Sequence, residues 1–184
     1  MIYLIGGAPR AGKSILGQQL AAKLRIGWIS TDLLQEILRV NNHDGTKAEW
    51  NATPEAIIAT AERFFPYLER FAWGVSSMAE SYVIEGVNFL PKQVSQLSKQ
   101  YQICVVFIGC AELTLERFDQ FPGRSRGYTF LTEAMRRQIV HEVPLWSEFI
   151  RQEAKLYNYP YVDMSNDFPA RLDEAEALLT NGTV

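Results

Sequence analysis

The sequence predicts an α/β protein with a five-stranded parallel sheet and helices on both of its faces. Three observations predict it. Five short apolar runs, Ile2–Ile5, Gly27–Ser30, Tyr82–Glu85, Ile103–Ile108 and Pro160–Asp163, alternate with helical stretches. Parallel neighbours need a crossover between them, so this alternation is the pattern of a parallel sheet. The runs are rich in Val, Ile and Tyr, as strands buried on both faces are. Between the first run and the first helix lies a glycine-rich turn, Gly7-Ala8-Pro9-Arg10-Ala11-Gly12-Lys13-Ser14.

That octapeptide fits G-x-x-x-x-G-K-[ST] at every fixed position. Residues 1–6 before it read as a buried strand, and Ile15–Leu24 after it as a helix with an apolar face. A strand, a glycine turn and a helix N-terminus make a phosphate cradle rather than an idle turn. Glycines let the backbone curl so that successive N–H groups and the positive helix end point at a polyphosphate. Gly7 through Ile15 form the expected phosphate-binding segment. Lys13 adds a point charge to the β- and γ-phosphates, and the Ser14 hydroxyl can ligate Mg²⁺. ATP with Mg²⁺ is the expected ligand. Arg10 is the unusual member, a charged side chain at the crest of the loop.

The second run closes on Ser30-Thr31-Asp32, and a helix follows over Leu33–Val40. Ligands of open α/β sheets sit beyond the carboxyl ends of the strands, where Asp32 lies. A carboxylate there can orient or deprotonate an acceptor hydroxyl, or hold a metal-bound water. It can equally cap the helix, with Gln35 three residues on. The third run ends in Glu85-Gly86-Val87-Asn88. Glu85 is a second candidate for organising Mg²⁺, and Gly86 would allow close backbone approach to a ligand. Ser14, Asp32 and Glu85 are the candidate metal residues; whether Asp32 or Glu85 is the base stays open.

Two insertions interrupt the alternation. The first, about 41–81, is the expected acceptor-binding insertion; it opens with the turn-prone Asn41-Asn42-His43-Asp44-Gly45-Thr46 and continues as an aromatic-rich helix pair, with a kink or the start of a new helix expected at Pro66. Phe64, Tyr67, Leu68 and Phe71 follow helical spacing and are expected to pack into the core. The second, about 119–132, carries Arg124 and Arg126 between glycines. A long helical stretch from Glu133 to Tyr157 follows, with a kink or break expected at Pro144. Mobile arginines that fold over a site stabilise the charge of a transferring phosphoryl group, so Arg117, Arg124 and Arg126 join Lys13, Asp32 and Glu85 as candidate catalytic residues. Arg136 and Arg137 read as a solvated face or as partners of acidic residues. Asp163-Met164-Ser165 is placed to border a nucleobase.

Composition sets the outer limits. With 184 residues, 47% of them hydrophobic and 21% charged, the chain reads as one globular domain. A net charge of −3 argues against a protein that coats nucleic acid. No apolar run approaches the ~20 residues of a membrane span, and a cytoplasmic monomer or homodimer is expected. Cys104 and Cys110 flank one strand, about 20 Å apart when extended, so they read as buried free thiols. No N-K-x-D pattern for reading guanine is present.

These residues resemble the small-molecule P-loop kinases, the group of nucleoside monophosphate, shikimate and gluconate kinases. The resemblance runs over essentially the whole chain, and the phosphate loop is its most specific part. A closer likeness is to the 2-phosphoglycerate-kinase-like branch. It rests on residues 5–8 leading into Gly12-Lys13-Ser14, on Ile29-Ser30-Thr31-Asp32 with Glu36 and Arg39, and on residues 83–88 with Pro91. The resemblance implies strand order 2-3-1-4-5, a lid after the fourth strand, ATP–Mg²⁺ as donor and a small-molecule acceptor. Gln35 stands where that branch is expected to have a basic residue, and Asn88 where it is expected to have His. Competing expectations are a regulatory ATPase without a metabolite acceptor, and a kinase of a nucleotide-linked or polynucleotide target.

Overall fold

The computed structural model describes residues 1–39, 53–120 and 131–181. Along the chain they form β1 (Ile2–Gly7), α1 (Lys13–Leu24), β2 (Gly27–Ser30), α2 (Thr31–Arg39), α3 (Pro54–Ser77) and β3 (Tyr82–Glu85). Then come α4 (Pro91–Leu97), β4 (Ile103–Gly109), α5 (Leu115–Gln120), α6 (Glu133–Leu156), β5 (Tyr161–Asp163) and α7 (Phe168–Asn181). The five strands make one sheet in the order β2-β3-β1-β4-β5, and every neighbouring pair is parallel.

Alternation along each strand divides the core into two layers. Ile2 and Leu4 of β1 and Val105 and Phe107 of β4 point to the face covered by α3, α4 and α6. Tyr3 and Ile5, with Cys104, Val106 and Ile108, point to the face covered by α1 and α7. Both cysteines are buried free thiols, and burial pushes each pKa above its ordinary value. They are therefore poor nucleophiles.

The helix pair expected around Pro66 is one continuous helix. α3 runs 24 residues through Pro66, capped at its start by the Thr53 side chain, which accepts from the Ala56 N–H. Pro66 is exposed, so the carbonyl it leaves unbonded can be met by solvent. α6 likewise passes the half-buried Pro144 without ending. Ile57, Ala61, Phe64, Leu68, Ala72 and Val75 form the buried stripe of α3, whereas Tyr67 and Trp73 stay half exposed. Phe64 packs into the core, as its spacing predicts. Arg136 pairs with Asp119 and Arg137 with Glu133, as a solvated helix face would.

Candidate active site

The register puts Ile5 of β1 and Ser30 of β2 level with Glu85 of β3. The carboxyl ends of three strands therefore meet where the phosphate loop leaves β1. Gly7 and Gly12 hold φ of +130° and +95°. A Cβ on Gly7 would lie 1.8 Å from the Ile108 carbonyl oxygen, so β4 presses directly on the loop. Gly12 precedes α1 and its carbonyl accepts from the N–H groups of Ile15 and Leu16. No side chain caps this helix and no acidic residue sits in its first turn. Its N–H groups and positive dipole end are left for an anion.

Lys13 is buried, and its ammonium donates to the Ala8 carbonyl at 2.6 Å. Burial lowers its pKa below the ordinary value, opposed by the nearby carboxylates of Glu85 and Asp32. Glu85 closes β3 and Asp32 lies two residues beyond the end of β2, so the two acids come from the ends of neighbouring strands. The Ser14 hydroxyl donates to the Glu85 carboxylate at 3.0 Å. A hydroxyl and a carboxylate at a phosphate loop are hard oxygen donors that suit Mg²⁺, which otherwise keeps waters and phosphate oxygens as ligands. Among the described residues no group of three His, Cys, Asp or Glu converges on a metal, so phosphate oxygens and water would complete such a shell.

Asp32 is not the helix cap. α2 begins at Thr31, and the Ser30 hydroxyl accepts from the Asp32 N–H at 3.3 Å, so Ser30 takes the capping role. The Asp32 side chain is exposed on the first turn of α2, released from the alternative that the sequence left open. Asn88, almost fully buried, donates to the Thr31 hydroxyl at 2.9 Å and to the Asp32 carboxylate at 3.4 Å. Gly86 makes this contact possible, because a Cβ there would lie 1.7 Å from the Thr31 hydroxyl oxygen. The sequence marks Asn88 at the end of the third run and as a departure from a family pattern; its hold on the start of α2 is visible only in the fold.

Arg117 lies away from this group. Its guanidinium donates to the Met164 carbonyl at 3.1 Å, beside a cavity of about 430 Å³ lined by Thr114, Gln120, Ser165, Asn166 and Phe168 among others. Phe168 joins that cavity to the phosphate loop, since a Cβ on Gly12 would meet its ring at 2.8 Å. Asp163 ties the wall together by accepting from the Ala111 N–H and from the Ser165 N–H and hydroxyl. Arg10, with φ of +64°, lays its guanidinium 4.5 Å from the Phe118 ring centroid on α5. Arg124 and Arg126, most of the expected lid and residues 40–52 lie outside the described residues, as does the Arg39 side chain.

No protein-family model matches the chain, and no curated protein matches it in sequence. Solved structures do match its fold. A sugar kinase from Janibacter sp. is 11% identical over 97% of this chain and 93% of its own, with a TM-score of 0.54. Shikimate kinase from Bacteroides thetaiotaomicron is 14% identical over 98% and 96%, with a TM-score of 0.50. A Chloroflexus aurantiacus protein whose kinase label is itself provisional is 18% identical over 99% and 97%, with a TM-score of 0.53. The fold is the one these solved structures share, matched over nearly the full length of each chain. The 2-phosphoglycerate-kinase-like branch is not singled out among them.

Proposed function

We propose that the chain is an ATP-dependent phosphotransferase that moves the γ-phosphoryl group of ATP to a hydroxyl of a small molecule. One observation carries this reading: Lys13, Ser14, Glu85 and Asp32 converge at the carboxyl ends of β1, β2 and β3, beside a cavity that reaches the loop through Phe168. Kinase-like neighbours of the same length support it.

The loop amides and Lys13 bind the β- and γ-phosphates, the lysine exchanging its Ala8 contact for phosphate oxygens. Ser14 and Glu85 would hold Mg²⁺, whose charge neutralises those oxygens when ATP is bound. The buried, serine-bonded Glu85 suits the metal, and the exposed Asp32 suits the acceptor. Asp32 accepts the acceptor's hydroxyl proton as its oxygen bonds to phosphorus, and the bond from phosphorus to ADP breaks. The cavity between Arg117 and Phe168 takes the nucleoside, with guanidinium and ring offered to a base. Arg124 and Arg126 close over the γ-phosphate and exclude water, the step that separates transfer from hydrolysis. A single catalytic domain in the cytoplasm, where ATP is abundant, completes the reading.

The test is ADP release from MgATP over a panel of sugars, polyols and hydroxy acids. Acceptor-dependent release that Asp32→Ala and Lys13→Ala each reduce about a hundredfold is the expected result. Equal release with and without every acceptor would favour a regulatory ATPase.

A further inference from the structure

Asn88 is a buried amide that the phosphoryl-transfer scheme leaves unused. It sits three residues beyond β3, yet its donors reach back to the first turn of α2. The 2.9 Å bond to the Thr31 hydroxyl anchors it. The 3.4 Å bond to the Asp32 carboxylate is longer than a settled N–H···O bond, so it is the leg that can shorten once a ligand fixes the carboxylate. Gly86 leaves room for this crossing, since a side chain there would collide with Thr31. The Ser30 cap fixes the backbone under Asp32 from the other side. Asp32 is thus the one exposed member of a junction whose other parts, Ser30, Thr31, Gly86 and Asn88, are buried.

We propose that Asn88 is a positioning residue that holds the Asp32 carboxylate toward the acceptor, with its second N–H locked by Thr31. This rests on the phosphotransferase reading for its consequence, but not for the contact itself. An amide donates to a carboxylate without adding charge, and the contact costs the Asp32 side chain rotational freedom. The role is specific to the oriented carboxylate and does not involve nucleotide binding.

A double-mutant cycle separates positioning from mere structure. Turnover of MgATP is measured for wild type, Asn88→Ala, Asp32→Ala and the double variant, using the panel compound that gives the fastest ADP release, or water if none does. Nucleotide affinity and Tm are read alongside. Asn88→Ala is expected to lower kcat about tenfold with ATP affinity within about twofold. In the Asp32→Ala background the same change should alter kcat less than about twofold. Multiplicative losses in the double variant, or an unchanged kcat in Asn88→Ala, overturn the proposal. Thr31→Val removes only the anchoring bond and should lower kcat in the same direction as Asn88→Ala, with ATP affinity within about twofold; an unchanged kcat overturns the locking by Thr31. Should Asn88→Ala not fold, the Asn88 side-chain amide signals in nitrogen-edited NMR decide. They should shift in Asp32→Ala, and no shift overturns the contact. A wild type without any acceptor-dependent release defeats the phosphotransferase reading separately.

Discussion

The Ser14 hydroxyl and the Glu85 carboxylate meet at 3.0 Å across the gap between α1 and the end of β3. Glu85 is buried, and the Ser14 hydroxyl donates to it beside the buried Lys13. Glu85→Gln keeps the shape and removes the charge. The expected result is an about tenfold higher Mg²⁺ requirement for nucleotide turnover, with smaller change in nucleotide affinity measured in chelator. A Mg²⁺ titration of ADP release checks it; an unchanged half-saturation would remove Glu85 from the metal site.

Gly86→Ala should fail for a local steric reason. The new Cβ would lie 1.7 Å from the Thr31 hydroxyl oxygen at the root of α2, and Thr31 is itself fully buried. Overpacking of this kind costs about 1–3 kcal/mol, and the displaced Thr31 also loses Asn88. Urea unfolding should show a lower midpoint with an unchanged slope. A wild-type midpoint would contradict the packing described at this junction.

Much of the sheet was legible because its strands are buried on both faces and so have sharp apolar ends. The predicted Gly27–Ser30 and Tyr82–Glu85 match β2 and β3 residue for residue, while β1 extends to Gly7 and β4 to Gly109. Glycines end no hydrogen-bond ladder by themselves, which is why those two strands run on. Pro66 misled, because a proline signals a missing N–H but not whether solvent can satisfy the carbonyl it frees. Asp32 was ambiguous because Ser30 competes for the same cap two residues earlier, a choice decided by backbone geometry. That Lys13, Ser14, Asp32 and Glu85 lie near the carboxyl ends of β1, β2 and β3 was legible from motif and strand ends. Asn88's grip on Asp32 was not, since it depends on a loop crossing between elements 57 residues apart at Thr31.

The buried stripe of α3 gives a contrast between adjacent positions. Leu68 is fully buried against the sheet, and Tyr67 beside it is 45% exposed. Leu68→Ala should destabilise by about 2–5 kcal/mol, whereas Tyr67→Ala should cost well under half of that. Chemical denaturation of both variants checks the orientation of the helix. Equal losses would mean that α3 is rotated.

Tyr161 carries a buried hydroxyl with no hydrogen-bond partner among the described residues, next to Gly109 and Ser147. Burial, with Asp163 adding to it, raises its pKa well above the ordinary phenol value. Tyr161→Phe should therefore stabilise the fold by about 1 kcal/mol at neutral pH. The pH dependence has a definite sign. A raised folded pKa means the unfolded chain loses its proton first, so the wild type loses stability relative to Tyr161→Phe as pH climbs above 10. Thermal unfolding of both proteins at pH 7 and in mildly alkaline to strongly alkaline buffers tests both parts; a less stable Tyr161→Phe would show that the hydroxyl has a partner.

Phosphorus NMR of the products formed from MgATP and the acceptor panel tests the central claim most directly. A new phosphomonoester signal that grows with ADP, and that is lost in Asp32→Ala while nucleotide still binds, is the predicted result. ADP and inorganic phosphate alone, formed at one rate whatever the acceptor, would contradict it.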